Sequence, residues 1–197
     1  MKNLTEIIFL LDKSGSMQPK GSEPISGYNQ FIKDQSDPSL GEAKVTLVLF
    51  GTYINTIYAC KDIKEVEPIS EKDYKAEGMT ALRDAIGKTF DEVGLRLANT
   101  PEDERPDKVL VCILSDGDDT SSVEYSTEQI NQKITEQSEK YSWNIQFMGT
   151  TKNAIAAAKS YNVSLRNIML FDDTGEGVND AYMDQTKRAT LYRKSVV

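Results

Sequence analysis

Two stretches of this chain admit few folds. "LTEIIFLL" (4–11) and "KVLVCILS" (108–115) are near-continuous apolar runs of strand length. A strand with one wet face alternates apolar and polar residues, whereas one without alternation is buried on both faces. Such strands require helices above and below a sheet, and the intervening sequence supplies them. "PISGYNQFIKD" places Ile25, Tyr28, Phe31 and Ile32 at helical spacing. "TALRDAIGKTFDEVGLRLAN" carries Leu82, Ile86, Thr89, Val93 and Leu97 at steps of three or four, the stripe of an amphipathic helix.

The remaining segments continue the alternation. "AKVTLVLF" (43–50) and "YINTIYA" (53–59) flank Gly51-Thr52 and read as a hairpin, so one strand, the second of the two, is an antiparallel edge. After the polar loop "TPEDERPD" and the second apolar run, "STEQ" (126–129) fits a capping box that opens a helix through Ile130, Ile134 and Tyr141. Strand "WNIQFMG" (143–149), a short helix "KNAIAAAKSY" (152–161) and strand "NIMLF" (167–171) follow. A last helix carries Val178, Ala181, Tyr182, Ala189 and Tyr192. The pattern predicts an α/β fold: one doubly wound, mostly parallel sheet with one antiparallel edge strand and helices on both faces. No repeat or linker divides the 197 residues, so residues 1–197 are expected to form a single domain.

Several functions are disfavoured by what the chain contains. A net charge of −8 discourages general affinity for nucleic acid or anionic lipid. No run of about 18 apolar residues is present to span a membrane. "MKNLTEIIFLLDKSG" makes a poor signal peptide, so a cytoplasmic location is expected. There is no histidine, which removes imidazole general acid–base catalysis, Ser-His-Asp triads and imidazole ligands. The two cysteines, Cys60 and Cys112, are too few for a structural zinc site, and Cys112 sits inside an apolar run as a buried thiol. Any metal here must be a hard cation held by oxygen.

In doubly wound sheets, ligands bind beyond the carboxyl ends of the strands. Asp12, Ser14 and Ser16 follow the first strand in "FLLDKSGSM"; Asp116 follows the second apolar run in "LSDGDD". Thr80, in "EGMTALRDAI", begins the long helix and reaches the same rim. Each residue has a cheaper role: strand-end turn residues for the aspartates and serines, a helix cap for Thr80. Their conjunction, in order and on the required elements, argues for one oxygen-lined site.

"DKSGSM" matches the Asp-x-Ser-x-Ser signature of von Willebrand factor A (integrin I-type) domains, "GMTALRDAI" resembles that family's threonine segment, and "LSDGDD" its second aspartate. The resemblance covers residues 4 to about 195. It departs at Met79, where the family often has glycine. The resemblance implies a Rossmann-like fold with a metal-ion-dependent adhesion site. Its metal ligands would be Asp12, Ser14, Ser16, Thr80 and Asp116, and its cation Mg²⁺ or Mn²⁺. The expected function is non-enzymatic: a metal-dependent interaction module whose cation binds an aspartate or glutamate of a partner protein, by family analogy an ATPase or another complex subunit. Met17, Met79 and Asp118 are expected on the partner-binding rim, the methionines as an adaptable apolar collar.

Two other readings compete. A haloacid-dehalogenase-like phosphotransferase also places an aspartate after its first strand and uses Mg²⁺. It needs a second acid two residues on, where this chain has Ser14. A structural domain with a vestigial metal site is the other. Neither G-x-G-x-x-G nor a P-loop occurs, which disfavours nucleotide binding.

Overall fold

The computed structural model describes residues 3–116, 118–150, 155–156 and 159–195. The two apolar runs form β1 (Leu4–Asp12) and β4 (Lys108–Leu114), buried along their whole lengths and paired in parallel. With β2 (Glu42–Phe50), β3 (Ile54–Asp62), β5 (Asn144–Thr150) and β6 (Ile168–Phe171) they make a six-stranded sheet in the order β3-β2-β1-β4-β5-β6. Every pairing is parallel except β2–β3, the expected hairpin, with β3 at one edge.

The pleat of β1 divides the core. Ile7, Phe9 and Leu11 face one helical layer, made by α1 (Glu23–Gln35) and the last helix, α4 (Gly175–Lys194). Ile8 and Leu10 face the other, made by α2 (Leu82–Asn99) and α3 (Thr127–Glu139). Successive strand residues point to opposite faces, which is why the run 7–11 between the two layers is apolar without alternation. Phe9 anchors the first layer, with Tyr28, Phe31 and Tyr182 rings at 5.3, 5.5 and 5.9 Å.

Local signals hold at several element ends and fail at one. The capping box is complete: the Ser126 side chain accepts from the Gln129 backbone N–H, and the Gln129 side chain accepts from that of Ser126. The helix it opens stops at Glu139, short of Tyr141, which is 53% exposed. Ser142 takes φ 56° there, turning the chain into β5, so the apolar period ends before the tyrosine. Of the expected short helix over 152–161, residues 155, 156 and 159–161 are helical; the other positions lie outside the described residues.

Wound in this order, the sheet reverses direction between β1 and β4. β1 leads outward to β2 on one side, and the chain returns to β4 on the other, leaving a crevice at their carboxyl ends.

The closeness of the first helical layer is testable at Gly27. A Cβ at this α1 position would overlap the ring of Tyr182. That ring is held on Phe9, and its hydroxyl donates to the Pro24 carbonyl at 3.1 Å. Glycine to alanine in a helix ordinarily stabilises by up to about 1 kcal/mol. Gly27→Ala should instead destabilise by about 1–3 kcal/mol through overpacking, read from urea unfolding.

Candidate metal centre

Asp12 is the last residue of β1 and is fully buried. Its Oδ1 accepts the Ser14 backbone N–H at 2.7 Å, and its Oδ2 accepts the Ser115 hydroxyl at 2.6 Å. These bonds do not fully offset desolvation. Burial raises the Asp12 carboxyl above its ordinary range, with Ser115, Ser14 and the charge of Lys20 pulling the other way.

The chain then enters a 3₁₀ turn, Gly15–Lys20. With about three residues per turn, positions three apart share a face. Ser14, Met17 and Lys20 accordingly point inward, while Ser16, Gln18 and Pro19 are exposed. Met17 therefore does not belong to an exposed collar. It is fully buried in the first core layer, which corrects the expectation that placed it on the rim.

The turn presents two hydroxyls. Ser14 Oγ and Ser16 Oγ lie 3.0 Å apart, and Ser16 Oγ donates to Asp116 Oδ1 at 2.7 Å. A hydroxyl carries one proton, so with that of Ser16 given to Asp116, the Ser14 hydroxyl is the donor between them. Asp12, Ser14, Ser16 and Asp116 thus form one continuous hydrogen-bonded chain across the ends of β1 and β4.

Thr80 is brought to the same place by its neighbours. Gly15 N–H donates to the Gly78 carbonyl at 3.0 Å, Glu77 N–H to the Lys13 carbonyl, and Ala81 N–H to the Gly51 carbonyl. Gly78 takes φ +79°, and a Cβ at Gly15 would lie 3.2 Å from the Gly78 oxygen, so glycine suits both sides of this contact. On the other side Thr80 N–H donates to Thr120 Oγ1 at 3.0 Å, and the Thr80 carbonyl accepts from the Thr120 and Ser121 N–H groups.

Thr80 does not cap α2. The N-cap position is Ala81, and no side chain of the N-cap serves it. Asp119 instead accepts the Arg83 N–H at 2.7 Å, and Ser122 Oγ accepts that of Asp84 at 3.0 Å. The helix returns the favour through Asp84, which accepts from the N–H groups of Val123, Glu124 and Tyr125. Capped from another loop, the helix leaves the Thr80 hydroxyl for other work. Asp119 also pairs with the Arg83 guanidinium at 3.2 Å.

Sequence reasoning missed two further residues. Ser115 orients Asp12 from β4's end, and its neighbour Asp116 gives no separate signal for it. Lys20, also buried, pairs its ammonium with Asp116 and with Asp173 at 2.5 Å, and donates to the Ser16 carbonyl at 2.8 Å. Asp173 comes from just before α4, more than 150 residues along the chain, so nothing near Lys20 in sequence announces its burial. Of the expected rim, Met79 is 53% exposed and Asp118 is exposed.

The donor set fits a small hard cation. Octahedral Mg²⁺ with bonds of about 2.1 Å places adjacent ligands about 3 Å apart, the spacing of the two serine hydroxyls. Among the described residues, no three acidic or thiol side chains gather to hold a metal. The two serine hydroxyls could serve as direct donors, with Asp116 hydrogen-bonded to that of Ser16 and Asp12 to the Ser14 backbone behind them.

The chain has the von Willebrand factor A-like fold. No protein family is matched by its sequence, and no curated protein matches it either. Solved structures do match. One is proximal thread matrix protein 1 from the mussel byssus with a zinc-occupied MIDAS motif, at TM-score 0.59 and 19% identity; the match covers 94% of this chain and 46% of that one. Manganese-loaded TRAP protein of Plasmodium vivax matches at TM-score 0.61 and 15% identity, over 91% and 72% of the two chains. BatB of Bacteroides thetaiotaomicron, a conserved hypothetical protein, matches at 0.58 and 13%, over 97% and 100%. This chain therefore spans about half the length of the mussel protein.

A buried, incompletely compensated carboxylate makes a signed prediction. In EDTA, Asp12→Asn should leave stability to urea unchanged or raised, because it removes a desolvated charge. In Mg²⁺ the variant should lose the stabilisation that wild type gains. A loss above about 2 kcal/mol in EDTA would mark the Asp12 carboxylate as a structural acceptor instead.

Proposed function

We propose that this chain is a divalent-metal-dependent protein-interaction module. Ser14, Ser16 and Thr80 would hold Mg²⁺ or Mn²⁺ directly, with Asp12 and Asp116 behind them. The observation that carries the reading is the pair of hydroxyls 3.0 Å apart at the crevice between β1 and β4, backed by two buried carboxylates. Neutral direct donors leave a bound cation with most of its charge, which favours an anionic ligand from outside. A partner protein presenting an aspartate or glutamate meets that requirement. A subunit of an ATPase or other complex is the partner class this reading favours. Met79 and Asp118 would border the contact.

The solved structures lend support: the mussel protein has zinc in its MIDAS motif, and the Plasmodium protein is loaded with manganese. A similar fold, at TM-score 0.68 and 11% identity, occurs in the pilus adhesin SpaC of Lactobacillus rhamnosus; the match covers 95% of this chain and 30% of that one. We read the chain as non-catalytic. Asp12 stands where a phosphotransferase would keep its nucleophile, yet it is fully buried with both oxygens engaged. Among the described residues, no helix is long and apolar enough to cross a membrane. The cytoplasmic location belongs to this proposal and is checked by cell fractionation.

The test has two parts. Binding that favours the folded state stabilises by about 2.7 kcal/mol at a hundredfold excess over Kd, so millimolar Mg²⁺ should raise Tm and EDTA should reverse it. Thr80→Ala should abolish the rise. Partner capture from lysate should need Mg²⁺ and fail in the Ser14→Ala, Ser16→Ala double variant. A Tm indifferent to metal, with no calorimetric binding, sinks the metal centre; partners that persist in EDTA show that another face is used.

A further inference from the structure

We propose that Lys20 is a resident counter-charge that sets how tightly this site holds its cation, by sharing Asp116 with the metal. The inference rests on the reading of the site as a metal centre. An ammonium has three donors. Lys20 spends them on the Asp116 carboxylate, the Asp173 carboxylate at 2.5 Å and the Ser16 carbonyl at 2.8 Å, with its side chain 1% exposed. It is held on three sides, on the inward face of the 3₁₀ turn whose outward face carries Ser16.

The charges at the crevice then add up differently from those of the two aspartates alone. Asp12 and Asp116 offer two negative charges to a cation, and Lys20, shared with Asp173, offsets part of one. The effects on the site's two ligands have opposite signs. A divalent cation binds more weakly, because it approaches a fixed positive charge and a carboxylate already engaged. An anion arriving at the bound metal is held more strongly, because the site carries one more positive charge. Lys20 thus shifts electrostatic attraction from the metal to the partner.

Asp173 modulates the arrangement. It immediately precedes Thr174, the N-cap of α4, and its carboxylate is 70% exposed. It draws part of the ammonium's charge toward the surface. The start of α4 also packs on the turn: a Cβ at Gly175 would lie 3.2 Å from the Lys20 carbonyl oxygen.

A purely structural lysine makes the contrary prediction. If Lys20 only positions Ser16 and Asp116, its loss weakens metal binding; if it is a counter-charge, its loss strengthens it. The experiment is calorimetric titration with Mn²⁺ alone of wild type, Lys20→Met, Lys20→Gln and Asp173→Asn, with Tm in EDTA and in Mn²⁺. Both Lys20 variants should bind Mn²⁺ at least about tenfold more tightly than wild type, since like charges this close repel strongly even at a high effective dielectric constant. They should melt lower in EDTA, where buried Asp116 loses the Lys20 counter-charge, and gain more from Mn²⁺ than wild type does. Asp173→Asn alters an exposed side chain and should fold; with the lysine's full charge turned on Asp116, it should bind Mn²⁺ several-fold more weakly. Equal or weaker binding by the Lys20 variants, beside normal binding by wild type, overturns the counter-charge and leaves the metal centre standing. If those variants do not fold, an unchanged affinity in Asp173→Asn overturns it. No binding by wild type or any variant overturns both.

Discussion

Two carboxylates taken out of water at the ends of adjacent central strands govern this molecule. Asp12 and Asp116 are 0% and 6% exposed, at the point where the sheet reverses its winding. Isolated buried charges are too costly to persist, so each oxygen must be answered. The answers come from four groups: Ser115 at the end of β4, the Ser14 backbone and Ser16 hydroxyl in the turn after β1, and Lys20 on that turn's inner face. The fold provides the crevice, and the carboxylates dictate what lines it.

The surrounding loops release groups as much as they supply them. Because Asp119 and Ser122 cap α2 from a distant loop, Thr80 is not consumed by the helix that follows it. Because the Ser16 proton goes to Asp116, the Ser16 oxygen acts toward its other neighbours as an acceptor, Ser14 among them. Backbone latches from Gly15, Ala81 and Ser121 fix the segment carrying Thr80 without using its side chain. Hydroxyls held this way are weak ligands singly and a good set together, which suits a cation that must keep charge for an external anion.

Much of this was legible in the sequence where the cause is local. Unbroken apolar runs gave β1 and β4, Gly51-Thr52 gave the hairpin, and Ser126 with Gln129 gave the start of α3. Motif spacing put Asp12, Ser14 and Ser16 after β1 and Asp116 after β4, the four that join in one hydrogen-bonded chain, and Thr80 just before α2. What escaped has causes spread along the chain. Lys20 reads as a turn lysine until Asp116 and Asp173 arrive from distant segments. Met17 reads as a rim residue until the 3₁₀ period turns it toward the core with Ser14 and Lys20. Tyr141 continues a helical stripe that ends two residues earlier, because Ser142 takes a left-handed turn. Asp119 looks like one more loop acid, and its task as cap of α2 depends on a contact across about 36 residues.

The central claim is that one cation sits on the hydroxyls of Ser14, Ser16 and Thr80, in front of Asp12 and Asp116. The most direct measurement is an anomalous difference map from crystals grown with Mn²⁺. The account expects a single strong peak at direct coordination distance from the Ser14 and Ser16 hydroxyl oxygens, with the Asp12 carboxylate reached only through water or hydrogen bonds. A peak bound directly by the Asp12 carboxylate, a peak elsewhere on the surface, or no peak at saturating Mn²⁺ would contradict it.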